Sequence, residues 1–108
     1  MKSLEEIERL IEERKGEIKD RYHVKEIGLF GSYLKGEANA TSDLDILVEF
    51  EKTPGLFDFL DLEDYLTALL GIKVDLVMKN SLKPYIGKII LNEVKYLWNE
   101  SLKIILLI

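Results

Sequence analysis

The chain has no cysteine, which excludes disulfide cross-links and thiolate metal centres. Histidine is nearly absent. The single copy, His23, follows a charged helical pattern with no evident partner, so it is assigned to the surface and not to catalysis. Long apolar runs are missing. None approaches the roughly 18 residues of a membrane span, and the longest, residues 104–108, closes the sequence. That tail is expected to pack on the domain or dock on a partner. Met1 precedes a charged amphipathic run instead of the apolar stretch of a signal peptide, and the expected location is cytoplasmic, with no membrane partner. Positive charge is in deficit: 15 Lys and Arg face 20 Asp and Glu, a formal net charge of −5. A general nucleic-acid binder shows a basic face, so direct DNA binding is not expected. An acidic chain instead suits a basic protein partner. There is no internal repeat, low-complexity segment or linker, and 108 residues suffice for one domain with a single core, spanning 1–108.

What is present centres on residues 27–50, IGLFGSYLKGEANATSDLDILVEF. An apolar strand ends at Gly31-Ser32, and a second strand opens on Asp43 and Asp45. Side chains alternate along a strand, so these two carboxylates share a face, with Cα atoms about 7 Å apart. At an effective dielectric near 20 such charges repel by about 2 kcal/mol. Aspartate is also a poor strand former. A divalent cation offsets both costs, because hard cations take carboxylate oxygens, and Mg²⁺ is commonly bound by one or two carboxylates plus substrate phosphates. About a dozen residues upstream, Gly31 lets the backbone approach a ligand, and Ser32 is expected to cap a short helix whose free N–H groups face an anion. A phosphate-binding turn beside a metal-binding pair is what phosphoryl or nucleotidyl transfer requires.

The remaining elements follow from periodicity and punctuation. Ser3 and Glu6 form a capping box, and Leu4, Ile7, Ile11 and Ile18 mark an amphipathic helix to about Asp20. Strands are expected at 24–30, 44–50 and 73–79, a short helix at 32–38 and a loop at 39–41. The second strand is apolar on both sides beyond Asp45, which predicts a central strand covered on each face. Thr53-Pro54-Gly55 makes a turn. A helix over 56–70 draws its stripe from Leu56, Phe59, Leu60, Leu66, Leu69 and Leu70, stops at Gly71, and keeps Asp58, Asp61, Glu63 and Asp64 wet. Tyr33 and Tyr65 are assigned to packing. Pro84 opens a last helix that would bury Ile86, Ile89 and Ile90. Beyond Glu93 the alternation of Val94, Tyr96 and Trp98 leaves helix and strand both open.

Gly31-Ser32, then Gly36, then Ser42-Asp43-Leu44-Asp45 resembles the GSxxxG…SDxD signature of the DNA polymerase β-type nucleotidyltransferase superfamily. The similarity is greatest to its smallest members, the minimal nucleotidyltransferase family, and extends through Val74-Asp75-Leu76-Val77 to Glu93-Val94-Lys95-Tyr96. The resemblance implies an α/β (α+β) fold, a small mixed sheet flanked by helices. It implies that Asp43, Asp45 and Asp75 carry catalysis and hold two Mg²⁺ ions, with Asp75 also placed to act as general base. Gly31, Ser32, Lys35 and Ser42 would contact the nucleotide phosphates. Lys35 stands where these proteins often have arginine, so its contact would be a point charge and not a fork. ATP would be the substrate. The partner and acceptor would be a HEPN-domain toxin, an RNase silenced by AMP on a tyrosine, and a homo-oligomer is compatible with this. The alternatives are a non-catalytic antitoxin that covers its toxin, or transfer to a small molecule or RNA.

Overall fold

The computed structural model describes residues 2–99; the apolar tail at 104–108 lies outside them. The order is α1 (Leu4–Glu13), α2 (Lys15–Tyr22), β1 (Val24–Phe30), α3 (Ser32–Lys35), β2 (Leu44–Phe50), α4 (Leu56–Leu70), β3 (Val74–Met78), a 3-10 turn (Lys79–Ser81), α5 (Pro84–Glu93) and β4 (Lys95–Asn99). The strands form one mixed α/β sheet in the order β3-β2-β1-β4. β1 runs antiparallel to both β2 and β4, and β2 runs parallel to β3. Residues 94–98 thus resolve as Val94, the cap of α5, followed by strand.

The expected first helix is two helices. Ser3 caps it as foreseen, accepting from the Glu6 N–H at 3.2 Å. The run then breaks at Arg14 (φ −104°, ψ 10°), two residues before Gly16, the weakest helix former in the stretch. Ile7, Ile11 and Ile18 nevertheless all reach the core. In α4 the buried stripe is Leu62, Leu66 and Leu70, at exact i, i+4, i+8 spacing, while Leu56 and Leu60 are exposed. Gly71 ends that helix in the left-handed conformation at φ 66°.

β3 is an edge strand, and two outward amides there would lack partners. Side chains of α4 supply them: Thr67 Oγ1 accepts from the Val74 N–H at 3.1 Å, and Glu63 Oε2 from the Leu76 N–H at 2.9 Å. Glu63, expected on the wet face, therefore covers the sheet edge.

The two faces of the sheet differ. Ile27, Leu29, Leu44, Ile46, Val48, Val74 and Leu76 join the core residues of α1, α2 and α4 in one cluster. The opposite face carries Glu26, Gly28 and Phe30 of β1 against Glu49, Leu47 and Asp45 of β2, by direct register. β2 is central as expected, but its second face is only partly apolar: Leu47 is buried, whereas Asp45 and Glu49 are half-buried. The run read as apolar on both sides contains a polar alternation that begins at Asp45 and returns at Glu49.

Candidate active site

Register brings the carboxylates together. Asp45 sits directly across from Asp75 in the parallel β2–β3 pair and across from Phe30 in the antiparallel β1–β2 pair. Phe30 leads immediately into Gly31. One row across the sheet therefore holds Asp75, Asp45 and the start of the Gly-Ser turn, with Asp43 just ahead of the strand. Parallel pairing supplies this arrangement, because the starts of β2 and β3 lie side by side at one end of the sheet.

Gly31 is fixed by that row. Its φ is +81°, in the region that favours glycine, and a Cβ built there would collide with the Asp45 carboxylate. The carboxylate thus occupies the space that only glycine leaves open. Ser32 does not cap α3. Gly31 stands at the cap position, the Lys35 N–H donates to its carbonyl at 3.2 Å, and Ser32 is the first residue of a helix of four. The cap must turn at positive φ here, which excludes serine from it. α3 ends at Lys35, with Gly36 closing it at φ 73°, shorter than the expected 32–38.

The loop that delivers Asp43 is tied to itself. Asn39 Oδ1 accepts from the Thr41 N–H at 2.9 Å and from the Thr41 hydroxyl at 2.7 Å. Ser42 Oγ accepts from the Asn39 N–H at 3.0 Å. Ser42 therefore holds the turn that presents Asp43. Lys35 Nζ lies 3.2 Å from Glu93 at the end of α5. Tyr33 is buried in the core cluster and Tyr65 packs against Tyr22, with its hydroxyl donating to Glu17, so both are packing residues. His23 is exposed and caps α2 at φ 57°.

Burial raises the Asp45 pKa above the usual carboxylate range, and the charges of Asp75 and Asp43, with a hydrogen bond to Asp75, push it the same way. Asp43 and Asp75 are exposed. Among the described residues no three Asp, Glu or His side chains form a ready-made cation cage. The donor set still suits Mg²⁺ in kind: hard oxygens under mutual repulsion, two of them open to solvent, leaving coordination positions for water and phosphate oxygens. Asp43, Asp45 and Asp75 are the residues that could hold such an ion.

A cleft of about 690 Å³ opens beside Asp43, lined also by Lys2, Tyr33, Thr41 and Lys73. Sequence reasoning missed both lysines, and nothing in their local pattern marks them. It also missed Glu26, which is 2% exposed on the same sheet face and accepts from Lys79 Nζ at 2.8 Å. A glutamate directly ahead of the apolar run 27–30, on a strand, was the available signal.

The profile of the nucleotidyltransferase domain family matches residues 11–97. The chain is 56% identical over 96 residues to the protein adenylyltransferase MntA of Thermococcus cleftensis, covering 89% of this chain and 97% of that one. Among solved structures it is similar to a toxin–antitoxin with AMP-PNP (TM-score 0.72, 28% identity, 85% of this chain and 73% of the other). It is also similar to the complex of a tri-AMPylated Shewanella oneidensis HEPN toxin with an MNT antitoxin (TM-score 0.65, 25% identity, 92% of this chain and 78% of the other).

Proposed function

Because this chain belongs to the nucleotidyltransferase domain family, we propose that it transfers AMP from ATP to a hydroxyl on a protein acceptor, a tyrosine of a partner HEPN toxin, and so acts as an antitoxin. The observation that carries this reading is the register that sets Asp45 against Asp75 in the same row as the Gly31 turn. The names of the relatives support the acceptor class.

The acceptor oxygen attacks the α-phosphorus of ATP and forms a phosphoester. The bond from that phosphorus to the bridging oxygen breaks, and pyrophosphate leaves. Asp75, exposed at the mouth of β3, takes the hydroxyl proton. Asp43 and Asp45, with Asp75 beside them, are the residues that would hold Mg²⁺, and the ions would supply charge neutralisation for the triphosphate and the in-line transition state. Gly31 keeps side-chain bulk away from the Asp45 carboxylate, and the Gly31-Ser32 backbone admits the β- and γ-phosphates. Ser42 keeps Asp43 in place through the Asn39 turn. Lys35 is anchored on Glu93, so a phosphate contact requires exchange of that ion pair.

The test mixes the chain with α-labelled ATP, Mg²⁺ and the product of the adjacent gene, and follows label by gel and mass spectrometry. Label on a tyrosine of that product, reduced at least about 10³-fold by Asp43→Asn with unchanged circular dichroism, is expected. An equally active Asp43→Asn protein overturns the assignment. Full neutralisation of the partner by that inactive variant shifts the function from transfer to masking.

A further inference from the structure

α5 is held by its ends. The chain leaves β3 at one sheet edge and must reach β4 at the other. It crosses on the face that carries Asp45. Before α5, Lys79 Nζ lies 2.8 Å from Glu26 and 3.6 Å from Glu49, two residues paired across β1 and β2 on that face. Burial lowers the affinity of Lys79 for its proton, but Glu26 outweighs it and keeps the lysine charged. At the far end, Glu93 pairs with Lys35 of α3, and Val94 seats on Gly28, where a Cβ would lie 2.6 Å from the valine Cγ2.

Between these anchors only Gly87 of α5 is buried. The expected burial of Ile86 and Ile89 is therefore overturned: they are 51% and 47% exposed, and Tyr85 is 79% exposed. Ile90 alone of the predicted face is half-buried. Positions 85, 86 and 89 fall within about one quadrant of a helical wheel, so they form one apolar strip. Lys88 of α5 and Lys83, the residue that caps it, are exposed beside the strip, two positive charges on a chain of net charge −5. The described residues hold a second exposed apolar group, Leu56, Phe57 and Leu60, at the start of α4. It follows β2, at the end of the sheet away from Asp45 and Asp75.

We infer that the Tyr85, Ile86 and Ile89 strip of α5 is the docking face for the acceptor protein, taking a partner surface with an apolar ridge and an acidic rim. This rests on the protein-acceptor reading above. Two observations favour α5. Its strip continues through Glu93 to Lys35, on the helix that starts at the Gly31 turn, so a partner seated there lies beside the reacting row. Its lysine rim complements acid, which the rest of this acidic chain would repel. Large aromatic and aliphatic residues exposed in one strip are the composition of an interface centre.

The experiment compares wild type, Ile86→Asp with Ile89→Asp, and Leu56→Asp with Phe57→Asp, using the adjacent gene's product as the probe. Calorimetry reads its affinity, labelled AMP reads transfer, and a fluorescent ATP analogue with Mg²⁺ reads the nucleotide site without the partner. The α5 pair should lower partner affinity about tenfold or more and raise the acceptor KM in proportion, with kcat and analogue binding within about twofold of wild type. The α4 pair should change nothing. Unchanged partner affinity in the α5 pair, or a loss confined to the α4 pair, overturns the docking face. A wild type that binds the partner without labelling it strikes the transfer reading alone, and affinity still judges α5.

Discussion

The two faces of the sheet are built by different forces. Beneath α1, α2 and α4, Ile27, Leu29, Leu44, Ile46 and Val48 meet Ile7, Ile11, Leu62 and Leu66 with essentially no exposure. On the other face Asp45, Asp75, Glu26 and Glu49 stand along the same strands, and the crossing helix is held by ion pairs at its ends. Apolar burial is non-directional and tolerates compensation. Carboxylates within reach of one another do not, since each raises the cost of the next. The first face supplies stability, and the second spends part of it to hold a charged site.

The comparison breaks most visibly at a core position. Leu66→Ala removes a fully buried side chain from the helical face, opposite the face that carries the site carboxylates. It should cost about 3 kcal/mol in urea unfolding, within the range for buried leucine truncations, while kcat and the ATP KM of the folded fraction stay near wild type. A matching fall in kcat at temperatures where the variant is fully folded would mean that the two faces are not separable.

Gly31→Ala inverts that pattern. The added Cβ meets the Asp45 carboxylate and must also adopt a positive φ. Asp45 has to move, and transfer should fall about 10²-fold, with a stability loss of about 1 kcal/mol. Initial rates of pyrophosphate release together with thermal unfolding check both. Wild-type rates in this variant would remove the argument that the glycine exists for the carboxylate.

The same division explains what could be read from the residues. Strand positions of β1 and β2 were legible because alternation and apolar content agree there, and the helix over 56–70 because Gly71 punctuates it. The phase of its stripe was not: leucines stand at 56, 60, 62, 66, 69 and 70, so composition alone cannot say which of them face the sheet, and packing selected Leu62. The candidate site was legible as a violation, one aspartate just ahead of an apolar strand and a second inside its first turn of alternation. Asp75 was placed on a strand, but its register with Asp45 depends on a parallel pairing that follows from topology and not from local sequence. The error at Ile86 and Ile89 has the same origin. Helical periodicity identifies an apolar face without saying whether this chain covers it. The Arg14 break and the αL turn at Gly31, which displaced Ser32 from the cap, are backbone outcomes that residue type only hints at.

The smallest predicted effect tests whether the site face is held against its own electrostatics. The folded pKa of Asp45 lies above the unfolded value of about 3.9, chiefly through burial and then through Asp75 and Asp43. In that window the folded state therefore binds more protons than the unfolded state. Its contribution is most favourable below the unfolded pKa and is lost as pH rises through the folded one. Other groups that titrate in acid would mask this in a single curve. The difference between wild type and Asp45→Asn isolates it. In chelator at pH 7 the variant should be more stable by about 1 kcal/mol once solvent screening is allowed for, even though its transfer activity is abolished. The gap should close as pH falls below about 4. Adding Mg²⁺ at pH 7 should narrow it too, because a cation bound to the wild-type carboxylates stabilises the only form that binds it. A variant less stable than wild type at pH 7 in chelator would show that Asp45 supports the fold, and the two faces would then share the work that their residues divide.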